Sequence, residues 1–169
     1  PQVLEGGYYV ASNPFYHVRR TANFHVMIFV TEGCIYVTEK NKDYEIKSGQ
    51  ILFLKAGINH FGKHEIKKGT KWYYVHFLLE QKELKSDSQN QLIVPKKMNE
   101  MNGTFIEEKI SQLIQNLHSN NQTKKWNCNL EMLEILKELC FFFFFIKATI
   151  NYLIFKNCCV FRKFRLRRI

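Results

Sequence analysis

Three histidines in the first 80 residues have the side chains best suited to chemistry in this sequence. His25, His60 and His76 lie in or beside apolar, aromatic and β-branched segments, so strands could bring their rings together. Imidazole binds metals and moves protons near neutral pH, and a catalytic metal takes about three protein ligands. Each histidine also has a structural interpretation, as a turn hydrogen bond for His60 and as core or rim positions for the others. Residue type alone leaves both interpretations open.

The segment WYYVHF, which ends at Phe77, carries a second set of candidates. Trp72, Tyr74 and His76 alternate with the other residues of this predicted strand, so they share one face. Indole, phenol and imidazole together offer flat surfaces and hydrogen-bonding edges to a sugar ring or another small polar molecule. The alternative is an aromatic face that packs against helices, and the strand alone does not decide between the two.

Other catalytic arrangements lack their motifs. The sequence contains no G-x-S-x-G, no Walker loop and no H-E-x-x-H. Its five cysteines form no C-x-x-C and have no zinc-type spacing with histidine. An odd number of cysteines without a disulfide framework predicts a reducing compartment, which is the cytoplasm. No cofactor is implied.

The elements that must position these residues are predicted to be strands as far as residue 80. The run Phe24–Val30 is typical of a strand buried on both faces. Turn residues then recur at short, regular intervals, which is typical of a sandwich or barrel. Residues 81–103 are polar and predict an irregular connector.

Two amphipathic helices are predicted over residues 104–140. Thr104 and Glu107 have the spacing of a capping box at the start of the first. The second is predicted over about 127–140, with an apolar face that consists of Leu130, Leu133, Leu136, Leu139 and Cys140. These faces pack either within one chain or between two copies, because isolated helices of this length are marginally stable.

The end of the chain differs in composition from the rest. The net charge is +10, and residues 141–169 contain Lys and Arg but no Asp or Glu. This low-complexity tail has three interpretations: a membrane segment, a basic nucleic-acid arm, or the product of frame slippage at a run of five phenylalanines. We favour frame slippage, since lysines and asparagines within the segment oppose membrane insertion.

The spacing from Gly49 to His60 resembles the second of the two motifs that mark cupin metal enzymes. Glycine, five residues, a turn ending in Gly57, two residues and histidine all match, with Lys55 in a position where proline is usual. The first motif, which supplies His-x-His, is absent. A metal site would therefore have to come from His25, His60 and His76, and a stand-alone metal-dependent cupin enzyme is kept as the alternative function.

The order of motifs resembles the N-terminal sensor domain of the AraC family of bacterial transcription regulators. Arg19 and Arg20 precede the first long strand, and Val30–Gly33 gives the turn typical of that family. The segments Gly49–His60 and Trp72–Phe77 follow in the family's order. The resemblance covers residues 5–80 well and the two helices loosely.

This resemblance implies a cupin or jelly-roll barrel that binds a small-molecule effector, followed by helices that form a homodimer through residues 104–140. The implied effector is a sugar or another small polar metabolite, and the chain is not an enzyme. The candidate effector-binding residues are Arg19, Arg20, His25, His60, Phe61, Trp72, Tyr74 and His76.

The implied organisation is a barrel over 1–80, a connector over 81–103, a helical dimerisation region over 104–140 and the tail over 141–169. The family reads DNA through a separate pair of helix-turn-helix units, for which residues 141–169 are too short. We therefore expect DNA contact only through a domain outside this sequence, and we expect neither a metal nor a membrane partner.

Overall fold

The computed structural model describes residues 1–79 and 94–157, with residues 146–157 described by their backbone alone. The elements are β1 (Gln2–Val10), β2 (Phe15–Tyr16), β3 (Arg20–Thr21), β4 (His25–Glu32), β5 (Cys34–Glu39), β6 (Lys42–Lys47), β7 (Gln50–Leu54), β8 (Asn59–Phe61), β9 (Glu65–Ile66), β10 (Lys71–Leu78), β11 (Lys97–Met98), α1 (Phe105–Leu117) and α2 (Lys124–Asn157). The prediction of a mainly β barrel followed by helices is confirmed.

The strands form a barrel from two facing antiparallel sheets. One sheet has the order β1-β10-β4-β7-β11, the other has the order β3-β8-β5-β6, and β2 pairs with β9. A shared core fills the lumen between the sheets, with Val26 and Ile28 from one and Ile35 and Val37 from the other. Burial of these apolar side chains on both inner faces holds the barrel closed.

The position of strand β4 between two cores explains why its sequence is apolar from Val26 to Val30. Val26 and Ile28 face the lumen, whereas Met27 and Phe29 face the helices on the outside of the same sheet. Because successive side chains of a strand point to opposite sides, a strand with a core on each side needs an unbroken apolar run. This agrees with the prediction of a strand buried on both faces.

Helix α1 packs as its sequence predicts, but its start differs. Ile106, Ile110, Leu113 and Ile114 are buried. The side chain of Thr104 makes no capping bond to the helix, and its hydroxyl donates instead to the carbonyl of Met101 at 2.7 Å. The carboxylate of Glu107 accepts from the backbone N–H of Gly103 at 2.6 Å. Only the glutamate half of the predicted capping box is therefore present. Its carboxylate accepts from the N–H of Gly103 rather than from that of the N-cap residue Thr104.

Helix α2 differs from its prediction in length and in its buried face. It runs to Asn157 rather than ending near residue 140. Leu130 and Leu133 are 60% and 41% exposed, while Met132 and Ile135 are fully buried. Leu130 and Leu133 therefore do not pack within the single chain, because the sheet and α1 select the neighbouring face of the helix. Packing of these two leucines on a second copy stays a prediction.

The predicted connector contributes to the barrel after residue 93. Strand β11 pairs with β7 and extends the first sheet, and Met101 N–H donates to the carbonyl of Gly49 at 2.8 Å. The prediction of an irregular segment missed this strand. The rest of the connector and residues 158–169 of the predicted tail lie outside the described residues. Among the described residues, no helix is long and apolar enough to cross a membrane.

Candidate functional site

Strand β10 turns its two faces toward different partners. Val75 and Phe77 pack in the core beneath the helices, and Tyr73 lies against that core. Trp72 belongs to the lumen core, with Tyr74 packed at its edge. The indole, phenol and imidazole therefore point into the barrel, and it is the opposite face of the strand that packs against the helices. Binding of a ligand by the lumen-facing side chains stays a prediction.

Arg20 lies at the centre of a polar cluster at one end of the lumen. Short strands β3 and β8 place it opposite His60, and Arg20 Nε donates to His60 Nε2 at 3.2 Å. Arg20 Nη2 lies 3.3 Å from His76 Nε2. Since a guanidinium only donates, both imidazoles accept through Nε2 and are neutral, with their proton on Nδ1.

Glu5 reaches this cluster because of a bulge in β1. Val3 pairs with Phe77, and the register then shifts so that Glu5 pairs with His76. Without the extra residue, Glu5 would share the helix-facing side with Val3. Its carboxylate lies 3.4 Å from His76 Nδ1 and accepts from the hydroxyl of Tyr74 at 3.5 Å.

Two further rings complete the cluster. The ring of Phe24 stacks on His76 with centroids 4.4 Å apart, and the ring of His17 lies 5.4 Å from that of His60. The Nε2 atom of His17 is buried and has no hydrogen-bond partner among the described residues. We define these seven residues as the Arg20 cluster: Glu5, His17, Arg20, Phe24, His60, Tyr74 and His76.

Burial and positive charge keep the histidines of the cluster neutral. Burial lowers the pKa of His17 to about 4, helped by His60 and Arg20. Burial, followed by the charge of Arg20, also lowers the pKa of His60 and of His76, and Glu5 partly opposes the shift at His76. The lowered pKa values agree with the hydrogen bonds, in which both imidazoles accept from Arg20.

A buried ion pair lies at the same end of the barrel. Glu39 is 5% exposed, forms an ion pair with Lys96, and accepts from the backbone N–H of Lys55 at 2.8 Å. It pairs with His60 across β5 and β8, which places it beside the Arg20 cluster. Burial lowers the pKa of Lys96, and the hydrogen bond to Glu39 opposes that shift. Glu39 and Lys96 were not among the predicted site residues.

Three predicted site residues lie away from the cluster. His25 stacks on Phe77, on the helix-facing side of β4, and accepts from the backbone N–H of Ala56 at 3.4 Å. Arg19 and Phe61 are the chain neighbours of Arg20 and His60, and the Arg19 guanidinium lies 3.7 Å over the Phe61 ring on the outer face of the sheet. The structure therefore brings Arg20, His60, Tyr74 and His76 together, but it does not bring Arg19, His25 or Phe61 to the cluster.

Trp72 lies in the lumen but has different neighbours. Its ring centroid is 4.6 Å from that of Tyr9 and 6.0 Å from that of Phe15. It thus forms an aromatic wall of the lumen, and among the described residues its ring packs on Tyr9 and Phe15 rather than on a member of the Arg20 cluster.

The predicted metal alternative does not match this arrangement. His25 faces away from His60 and His76, whose Nε2 atoms both accept from Arg20. In the described part of the chain, no group of three His, Cys, Asp or Glu residues is placed to hold a metal ion.

Comparison with known proteins decides the family. Residues 5–139 match the family model of the AraC-like ligand binding domain. The chain belongs to this family. The match spans the barrel, all of α1 and the first part of α2, so it includes every member of the Arg20 cluster.

One curated relative is similar over part of its length. It is the uncharacterized HTH-type transcriptional regulator YisR of Bacillus subtilis, and the two sequences are 30% identical over 61 residues. The matched region is 36% of this chain and 21% of YisR. The chain therefore spans about a fifth of the length of this relative.

Several solved structures are similar to part of this chain. A conserved SPY1581 protein of unknown function from Streptococcus pyogenes is 16% identical, with a TM-score of 0.40 over 47% of this chain and 68% of its own. A putative ethanolamine utilization protein EutQ from Salmonella typhimurium is 23% identical, with a TM-score of 0.34 over 43% and 55%. A Cupin 2 conserved barrel domain protein from Salinispora arenicola is 12% identical, with a TM-score of 0.37 over 43% and 61%.

Proposed function

We propose that this chain is the effector-sensing and dimerisation part of an AraC-like transcription regulator. In this proposal the effector is a sugar or another small polar metabolite, and it binds in the lumen at the Arg20 cluster. Operator DNA is read by helix-turn-helix units outside these 169 residues. Catalysis has no part in the proposal, because the histidines that a cupin metal site would use are engaged by Arg20 or face away from it.

The observation that supports this site is the unfinished hydrogen bonding of Arg20. Its Nε and Nη2 donate to His60 and His76, and its other N–H groups have no acceptor among the described residues. The Nε2 atom of His17 nearby also lacks a partner. A buried polar atom such as His17 Nε2 is normally paired, so a polar ligand that bonds to it and to the open N–H groups of Arg20 is stabilised there. Tyr74 and Phe24 provide the flat surfaces beside them.

Strand β1 supports a route from this site to the helices. Its Glu5 side chain contacts His76 in the lumen. On the strand's other side, Val3 N–H donates to Asn129 Oδ1 at 2.7 Å, and His118 Nε2 donates to the carbonyl of Gly6 at 3.0 Å. An effector that displaces Glu5 changes the contacts of a strand that both helices hold. Effector binding and helix arrangement are then linked, and the linkage is reciprocal.

The exposed face of α2 supports dimerisation. Trp126, Leu130, Leu133 and Phe141 are each more than 40% exposed, and the first three follow the four–three spacing of a coiled-coil seam. We call these four residues the α2 stripe. Exposed apolar stripes on one helix are typical of protein interfaces. The partner in this proposal is a second copy of the chain, which presents the same stripe across a twofold axis.

The test of the effector site is a thermal-shift screen of the chain against sugars and other small polar metabolites. A ligand that binds the folded state raises Tm by mass action. Arg20→Gln should abolish the shift of a stabilising compound. Arg19→Gln is the matched control, since Arg19 is the chain neighbour on the outer face and should leave the shift intact. Stabilisation that survives Arg20→Gln, or no stabilising compound at all, contradicts the proposal.

A further inference from the structure

The two partly buried cations at this end of the barrel have different partners. Lys96 forms an ion pair with Glu39, a carboxylate that is itself buried. Arg20 contacts two neutral imidazoles and the face of Phe24, whose centroid lies 5.5 Å from its guanidinium carbon. No carboxylate of the described residues lies within ion-pair distance of Arg20. The fold thus neutralises one of the two cations and leaves the other uncompensated.

The nearest carboxylate supplies no direct compensation. Glu5 contacts His76 and Tyr74, so an imidazole stands between it and the guanidinium. Its side chain is 65% exposed, which means that water screens much of its charge. Removing a cation from water without a counter-charge is unfavourable, and a directly bonded anion reverses that cost.

The geometry also suits an anion better than a neutral acceptor. The N–H groups of Arg20 that have no acceptor belong to a planar fork, which matches the two oxygens of a carboxylate or the oxygens of a phosphate. The imidazoles on either side fix the orientation of this fork through Nε and Nη2. A site of this kind is preorganised for a charged oxygen pair before the ligand arrives.

We infer that the effector is an anion, with a carboxylate or phosphate group bonded directly to Arg20 in the lumen. This inference rests on the proposed function and narrows it from small polar metabolites to negatively charged ones. An acidic sugar fits both the proposed function and this narrower inference, since its ring would lie against Tyr74 and Phe24 while its acid group faces Arg20.

The experiment compares acids with matched neutral molecules at constant ionic strength. Galacturonate and galactose, benzoate and benzamide, and acetate and acetamide are titrated against the whole chain while Tm is recorded. We expect a saturable rise in Tm with at least one acid and none with its neutral counterpart. Arg20→Gln should weaken acid binding by about 100-fold, the usual effect of removing one partner of a close charge pair.

Two further variants keep the test independent of folding defects. Arg20→Lys retains the charge but loses the fork, and it should weaken binding by less than Arg20→Gln. Arg19→Gln should bind like the wild type. A neutral member that stabilises as well as its acid, with a shift that Arg20→Gln abolishes, overturns the anionic effector and keeps the proposed lumen site. Acid binding that survives Arg20→Gln overturns both the anionic effector and the site. If no member of the panel and no metabolite in the wider screen binds, the proposed function falls with it.

Discussion

The Arg20 guanidinium contacts two imidazole nitrogens. A partly buried cation is usually paired with a carboxylate instead. The arrangement fixes the protonation state of three histidines, because each is buried and lies in the field of Arg20. Protonating any of them places a second positive charge beside the first. Acid should therefore destabilise the cluster before it protonates most carboxylates of the chain.

The loss of stability in acid can be estimated best for His17. Its pKa is about 4 in the folded chain and about 6.5 in the unfolded chain, so between these values the unfolded state binds the extra proton. Stability is thus full above about pH 6.5 and is lost as the pH falls toward 4. From pH 7 to pH 5 the loss from His17 alone is about 2 kcal/mol, measurable as a lower urea midpoint.

His17→Gln should remove the part of the pH-dependent loss that belongs to His17, about 2 kcal/mol between pH 7 and pH 5, and should leave the parts that belong to His60 and His76. The control is His64→Gln, at an exposed position on the outer face, which should lose stability between pH 7 and pH 5 as the wild type does. If the urea midpoint of the wild type is the same at both pH values, the neutral, buried assignment of His17 is incorrect.

The sequence predicts part of the Arg20 cluster and misses the rest for identifiable reasons. His60, Tyr74 and His76 follow from motif spacing and strand alternation, and Arg20 follows from the resemblance to the AraC family. The choice between Arg19 and Arg20 needs the register of β3 against β8. Glu5 enters only through a bulge that shifts its face, and spacing alone does not reveal a bulge. For Glu39, which lies beside the cluster, the sequence did offer a signal. Glu39 continues the alternation of Ile35 and Val37, whose side chains face the lumen.

Among the elements, β1 and α2 contribute most to the proposed mechanism. Gly6 lets β1 approach α1 closely, since a Cβ atom there would lie 2.8 Å from Ile114 Cδ1 and 2.9 Å from the carbonyl oxygen of Tyr74. Helix α2 packs one face on the sheet and exposes the α2 stripe on another. Leucine spacing did not distinguish these faces, because both carry apolar residues and only the position of the sheet selects one.

The α2 stripe predicts the oligomeric state. We expect the wild type to sediment as a dimer, and the double variant Leu130→Glu, Leu133→Glu to sediment as a monomer, because four carboxylates would be brought into one apolar seam. Sedimentation equilibrium should show at least about a 30-fold weaker association. Both positions are exposed in the single chain, so the monomer should keep its Tm.

Gln115→Glu is the matched control for this variant. It introduces the same acidic side chain at an exposed position of α1, outside the α2 stripe, and should leave the dimer intact. A wild-type chain that stays monomeric at high concentration, or a double variant that still dimerises, contradicts the assignment of this face.

In the whole molecule, strand β1 links the polar end of the barrel to the helical region, because it contacts both. The mainly β fold could be predicted from sequence, because turn spacing and strand alternation are local signals, and the family could be predicted from the resemblance in the order of its motifs. The length of α2 and the strand β11 could not, since tertiary packing decides them. The interpretation of residues 141–169 as a product of frame slippage stays a prediction.

The most direct test of a lumen effector site is an NMR titration of the histidine ring signals with a stabilising ligand. The chain has six histidines. His17, His60 and His76 line the Arg20 cluster, His118 bonds to β1, and His25 and His64 lie elsewhere. We predict saturable shifts of the three cluster signals at a common Kd, with the signals of His25 and His64 unmoved. Ligand binding that moves His25 or His64 and leaves the cluster signals in place would contradict the account.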